Sequence, residues 1–231
     1  MSFPAHGVII TAAGSSSRFN SGARKKEFQL LDDRSVLYYA TLPFLSIPEL
    51  KYLVVTYSKD LKEETELALD NLLYTYDVPI ELIEGGENRQ QSVLNGLQAL
   101  QASQAPIDYV LIHDGARPWV KEQTIISTLA TATVFGGAAP AMPLHDAIKK
   151  IDAEGQITGH LDRSSLVAIQ TPQAFRFPAI LQAHLEALHS TKSYYDDTEI
   201  FTDFGLRVGV CEGKRENRKI TTLQDIATEE G

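Results

Sequence analysis

Apolar residues fall along this chain in two alternating patterns. Short unbroken runs, Val8-Ile9-Ile10, Tyr52 to Thr56, Ile80 to Ile83, Tyr109 to Ile112 and Ala138 to Met142, have the length and bounding residues of buried strands. Between them, apolar residues recur at helical spacing over Ser35 to Leu45, Leu61 to Tyr74, Ser92 to Leu100 and Glu122 to Ala132. Ser35 reads as an N-cap, and Glu63, Glu64 and Glu66 sit where the helix macrodipole favours acids. From Pro143 to about Ser165 the pattern changes: Ile148 to Asp152 and Gln156 to His160 flank the turn residues Asp152-Ala153-Glu154-Gly155, which predicts a β-hairpin. A helix near Ile180 to Leu188, a strand over Arg207 to Val210 and a short terminal helix complete the chain.

Strand and helix in alternation predict an α/β fold, a Rossmann-like, mostly parallel sheet flanked by helices on both faces, with the hairpin protruding. The reading is of a single domain over 1–231 with an arm at about 143–165. A hairpin leaving such a core serves as a lid over its own site or as an arm gripping a second subunit. The arm is preferred, because an exposed ribbon needs its edges covered.

Composition narrows the function classes. With 231 residues, 43% hydrophobic and 22% charged, the chain can bury a large core. A net charge of −9 argues against a nucleic-acid surface. It also means that a site for an anionic metabolite must gather its cations locally. Cys211 is the only cysteine, so no internal disulfide forms; it reads as a small buried residue on a strand. The six histidines lack metal-ligand spacing. No signal peptide or membrane-spanning run is apparent, and the chain is expected to work in the cytoplasm, away from membranes.

The candidate chemistry lies in loops. After Ile10 the chain runs through Thr11-Ala12-Ala13-Gly14, three serines and Arg18, then Lys25-Lys26. Ala12, Ala13 and Gly14 let a ligand approach the backbone, while hydroxyls, amides and cations suit phosphates. The loop has neither P-loop spacing nor a dinucleotide fingerprint, which argues against a dehydrogenase. Polar loops after Ile10, Ile83 and Ile112 all fall at strand carboxyl ends, where open α/β sheets bind ligands.

Six motifs then occur in order: Thr11 to Arg18, Lys26, Gly85-Gly86-Glu87-Asn88-Arg89-Gln90-Gln91-Ser92-Val93, His113-Asp114-Gly115-Ala116-Arg117-Pro118, Gln170-Thr171-Pro172-Gln173 and Asn217-Arg218-Lys219-Ile220-Thr221. Together, over nearly the whole chain, they resemble the 2-C-methyl-D-erythritol 4-phosphate cytidylyltransferases. The resemblance implies transfer of CMP from CTP to a polyol phosphate, with Mg2+ and release of pyrophosphate. It implies that Arg18, Lys26 and Lys219 act on the phosphates. Ala12, Ala13, Gly14, Gly86, Glu87 and Ser92 would line the nucleotide site, with Asp114 near the metal and phosphates and Gly115 near the ribose. Arg117, Ala147, Arg163, Thr171 and Tyr195 would face the acceptor, Arg163 from the second subunit of a homodimer joined by the arm. Lys26 is taken by its spacing from Arg18 and Phe28, with Lys25 as the alternative.

Two departures bear on the acceptor. Ala147 and Tyr195 stand where family members carry threonines; Tyr195 either supplies a hydroxyl at longer reach or simply packs. Ribitol 5-phosphate cytidylyltransferase is therefore the rival reading, and a nucleotide-binding module without catalysis the more distant one.

Overall fold

The computed structural model describes residues 3–14, 19 and 25–227. The strands are β1 (His6–Thr11), β2 (Leu30–Leu31), β3 (Arg34–Ser35), β4 (Leu50–Tyr57), β5 (Ile80–Glu84), β6 (Tyr109–Asp114), β7 (Gly137–Pro143), β8 (Lys149–Ile151), β9 (Ile157–His160), β10 (Val167–Ile169), β11 (Gln173–Arg176) and β12 (Val208–Glu212). The helices are α1 (Val36–Leu45), α2 (Lys62–Leu69), α3 (Leu72–Thr75), α4 (Arg89–Ala102), α5 (Glu122–Phe135), α6 (Phe177–Ala187), α7 (Asp197–Asp203) and α8 (Gln224–Ala227).

Eight strands form one sheet in the order β10-β7-β11-β6-β1-β4-β5, with β12 also paired to β7. Strands β1, β4, β5 and β6 pair in parallel, as do β7 and β12; β10 and β11 run against them. Side chains alternate across the strands and make two cores. Val8, Ile10, Leu53, Val55 and Leu111 pack with Leu37 and Phe44 of α1, Leu69 of α2 and Leu129 of α5. Ile9, Val54, Val110 and Ile112 pack on the opposite face with Leu97 of α4, Ile180 of α6 and Phe201 of α7. The central strands β1 and β6 are buried along almost their whole length because both faces are covered, the mark of a parallel sheet. The expected fold is therefore the observed one.

Local caps also follow the sequence. Ser35 caps α1 by accepting a hydrogen bond from the Tyr38 amide, 2.9 Å away. Asn88 does the same for α4 through the Gln91 amide, which starts that helix at Arg89, before the expected Ser92.

Four expectations need correction. The helix expected over Leu61 to Tyr74 is two helices, because Asp70 adopts φ 51° and breaks the hydrogen-bond ladder between α2 and α3. The Gln170-Thr171-Pro172-Gln173 segment joins two strands that were not anticipated, β10 and β11, both antiparallel to β7. Asp197 begins a further unanticipated helix, α7, capped by Asp196. Cys211 lies on β12 as a half-buried residue, its thiol raised above the ordinary range by burial. The hairpin is present as β8 and β9, and Ile151 and Ile157 on it are exposed.

Candidate active site

Parallel strands end together, and their carboxyl ends here converge on one cleft. Beyond β1 the Ala12 amide bonds the Thr56 carbonyl at 3.0 Å, while the Ser58 hydroxyl donates to the Ala13 carbonyl at 2.8 Å. The small-residue loop is thus anchored to the end of β4. Beyond β5, Gly85 packs against it so closely that an added Cβ would stand 2.2 Å from the Ala13 Cβ. The Gly86 amide donates to the Ser92 hydroxyl at 3.0 Å, fixing the loop onto the first turn of α4. Beyond β6, the Gly115 amide returns to the Thr11 carbonyl at 2.9 Å.

These contacts enclose a cavity of about 140 Å3 lined by residues including Ala13, Gly14, Lys26, Ser92, Asp114 and Lys219. Lys26, Arg89 and Lys219 give it three cations against the two carboxylates Glu27 and Asp114. A chain of net charge −9 has gathered positive charge where parallel strands end. Lys25 turns elsewhere: its ammonium bonds the Ala12 carbonyl at 3.3 Å and the Ser58 hydroxyl, and burial lowers its pKa. Of the two neighbouring lysines, Lys26 is the one lining the cavity.

Asp114 is the hub. Its carboxylate is 2.9 Å from the Lys219 ammonium, 3.4 Å from Arg117 Nε and 3.5 Å from Arg89 Nε. Burial alone would raise the Asp114 pKa; Lys219, Arg89 and Arg117 outweigh it and hold the carboxyl well below its usual range. Below it lies a neutral network. His113 Nε2 donates to the Arg117 carbonyl at 3.1 Å, leaving Nδ1 to accept from the Thr171 hydroxyl at 3.0 Å. That hydroxyl in turn accepts from the Asp114 amide at 3.1 Å. Burial lowers the His113 pKa to about 4, so the ring stays neutral. Asn217 closes the circuit: its side-chain amide donates to the Thr171 carbonyl at 2.8 Å, and its own carbonyl accepts from Arg117 at 2.8 Å.

Of the expected residues, Ala13, Gly14, Lys26, Ser92, Asp114 and Lys219 line the cavity, while Ala12, Gly86, Gly115, Arg117 and Thr171 are tied to its walls by the contacts above. Thr171 sits differently from the acceptor-facing position expected of it: it is buried, with its hydroxyl engaged by His113 and Asp114. Glu87, Ala147, Arg163 and Tyr195 do not line the cavity; Arg163 is exposed and bonds the His145 carbonyl, and Tyr195 is 92% exposed. Arg18 lies outside the described residues.

Sequence reasoning assigned no role to His113, Arg89, Asn217 and Asp197. For Arg89 a signal existed. Reading Asn88 as the N-cap would have put Arg89 in the first turn of a helix, where a cation opposes the macrodipole and implies carboxylate partners nearby.

A divalent cation fits this site only as an ion shared with a ligand. Asp114 and Glu27 are the acids of the cavity, and no group of three potential side-chain ligands occurs among the described residues. Mg2+ ordinarily takes one or two carboxylates plus substrate phosphates.

The comparisons agree with this geometry. A family model described as 2-C-methyl-D-erythritol 4-phosphate cytidylyltransferase matches residues 7–231. A protein of that name from Clostridium novyi (strain NT) is 35% identical over 221 residues, covering 95% of this chain and 92% of that one. Another, from Caldanaerobacter subterraneus subsp. tengcongensis, is 36% identical over 225 residues, covering 96% of each. Among solved structures, a 4-diphosphocytidyl-2C-methyl-D-erythritol synthase from Anaerococcus prevotii superposes with a TM-score of 0.82 at 27% identity, covering 97% of this chain and 94% of that one. The 2-C-methyl-D-erythritol 4-phosphate cytidylyltransferase of Thermus thermophilus gives 0.76 at 26% identity over 96% of each. A cation-lined cleft at the strand ends and a family match that runs from Gly7 to Gly231 meet in one conclusion: the chain belongs to the 2-C-methyl-D-erythritol 4-phosphate cytidylyltransferase family.

Proposed function

We propose that this chain transfers CMP from CTP to 2-C-methyl-D-erythritol 4-phosphate, releasing pyrophosphate. The observation that carries the reading is the meeting of Lys26 and Lys219, from opposite ends of the chain, beside the Ala13-Gly14 loop in one cavity. A phosphate oxygen of the acceptor attacks the α-phosphorus of CTP. As that P–O bond forms, the bond to the β-phosphate oxygen breaks, and pyrophosphate carries away the electron pair. The acceptor phosphate is already ionised near neutral pH, so no general base is required. Catalysis is then a matter of position and charge.

Lys26, with Arg18, neutralises the triphosphate, and Lys219 meets the α-phosphate. The loop of Ala12, Ala13 and Gly14, together with Gly86 and Ser92, receives the cytidine against backbone groups. Glu87 borders that side from the surface. Gly115 faces the ribose, and Arg117 lies toward the acceptor. Asp114 and the substrate phosphates would hold Mg2+, which supplies further neutralisation of the triphosphate when bound. Ala147 and Tyr195 belong to the acceptor side. Arg163 reaches that side of a second copy through a homodimer built on the hairpin, whose exposed Ile151 and Ile157 suit burial against a partner. The chain acts as one nucleotidyltransferase domain in the cytoplasm, and no helix among the described residues is long and apolar enough to cross a membrane.

Pyrophosphate release tests the reading. With CTP and Mg2+, 2-C-methyl-D-erythritol 4-phosphate is expected to support turnover and ribitol 5-phosphate is not. Release with ribitol 5-phosphate alone would transfer the assignment to the sister activity. CTP binding without release for either acceptor would reduce the protein to a binding module.

A further inference from the structure

Arg89 is the first residue of α4, a place that a helix macrodipole makes unfavourable for a cation. Two carboxylates hold it there. Its Nη2 lies 2.7 Å from Asp197 Oδ2, and its Nε lies 3.5 Å from Asp114 Oδ1. Asp197 is wholly buried at the start of α7, and its other oxygen accepts from Nε2 of the equally buried His184 at 3.2 Å. The Asp197 amide donates to the Gln173 side chain at 3.1 Å, so β11, α6 and α7 all fix this one carboxylate.

The three cations on Asp114 are not equivalent. Arg117 is also bound to the Asn217 carbonyl, and Arg89 is also bound to Asp197. Lys219, with its side chain 35% exposed, has Asp114 as its ion-pair partner among the described residues. An arriving phosphate therefore meets a lysine already paired with a nearly buried carboxylate. Releasing that lysine costs little only if the carboxylate keeps other counter-charges, because an uncompensated buried charge is strongly unfavourable.

We propose that Arg89, clamped by the buried Asp197–His184 pair, is a positioning residue that holds Asp114 in place and lets Lys219 exchange that carboxylate for the α-phosphate of CTP. The inference rests on the phosphate role given to Lys219 above. A planar guanidinium suits the task because it offers separate N–H groups to two carboxylates at once, which a lysine ammonium at the same place does not reproduce.

The test uses the full-length protein with Arg89→Lys, Asp197→Asn and their double variant, measuring turnover, CTP dissociation constant and melting temperature. Each single change is expected to lower kcat about tenfold or more and to raise the CTP dissociation constant by more than about threefold, because Lys219 then leaves a less compensated carboxylate as the nucleotide arrives. The double variant is expected to be no slower than the slower single one, since both act through one contact. His184→Gln, which can still donate to Asp197, is expected to retain more turnover than His184→Phe. A role limited to folding would instead lower the melting temperature, leave turnover per folded molecule unchanged and give additive effects; that pattern overturns the proposal. Should Asp197→Asn fail to fold, Arg89→Lys decides alone, and near-normal turnover overturns the proposal. Wild-type protein without turnover would defeat the function itself, whereas active wild type with unaltered variants defeats only this inference.

Discussion

At the scale of single residues, the site works through a few contacts whose removal has distinct signatures. Lys26→Ala should lower kcat by about a hundredfold to a thousandfold, the range for deleting one preorganised charge-stabilising donor, with the fold intact by circular dichroism. Lys25→Ala should act differently, loosening the Ala12 and Ser58 anchor and lowering stability more than turnover. Equal kinetic losses would contradict the separation of roles. Gly85→Ala introduces a methyl group 2.2 Å from the Ala13 Cβ, so the loop must shift. CTP affinity should fall by about tenfold or more, and an unchanged dissociation constant would argue against this loop as the nucleotide floor. Small residues and lone cations were legible in the sequence because their types limit what they can do. His113 and Asn217 were not, since a buried hydrogen-bonding role depends on partners far away along the chain.

At the scale of elements, periodicity identified what is long and regular. The central strands and α1, α4 and α5 follow from apolar spacing, α1 also from its Ser35 cap, and the hairpin from its turn residues, although α4 begins three residues before the expected Ser92. Strands β10 and β11 escaped notice because each has only three or four residues and the Thr171-Pro172 step interrupts them. The α2–α3 break escaped because the apolar spacing continues through Asp70, and only the backbone shows the residue at positive φ. Helix α5 ends at Gly136, φ 92°, whose amide bonds the Ala132 carbonyl at 2.8 Å. Gly136→Ala should therefore cost about 1 kcal/mol in urea unfolding, since the left-handed conformation penalises a Cβ. No loss would mean that this cap contributes nothing.

At the scale of the molecule, stability and site share one buried network, and acid should expose it. His113 titrates at about 4 when folded, below its ordinary value of 6.5, so between those values the unfolded chain binds a proton that the folded protein does not. Its contribution is present above about pH 6.5 and is lost as pH falls; between pH 7 and pH 5 it amounts to about 2 kcal/mol. Asp114, held well below the ordinary carboxylate range, adds a further loss at lower pH still. Unfolding by urea at both pH values should show this slope in wild type and less of it in His113→Gln. An identical slope would place the acid sensitivity elsewhere. The acceptor half extends the same reasoning beyond one chain: mixing Arg163→Ala and Lys26→Ala subunits should restore part of the activity if the hairpin carries Arg163 to a second copy. Mixed dimers no more active than their parents would remove the shared site. Arg163, Ala147 and Tyr195 lie outside the cavity, so the acceptor roles proposed for them come from the family resemblance and not from the geometry of one chain.

If Lys26 and Lys219 act on one triphosphate, they meet it at the carboxyl ends of the strands, where both line the same cavity. A crystal structure of the protein with CTP and Mg2+ is the decisive measurement. The triphosphate is expected between Lys26 and Lys219, with the Lys219 ammonium moved from Asp114 onto the α-phosphate. A nucleotide bound elsewhere, or a Lys219–Asp114 pair left unbroken beneath it, would rule this convergence out.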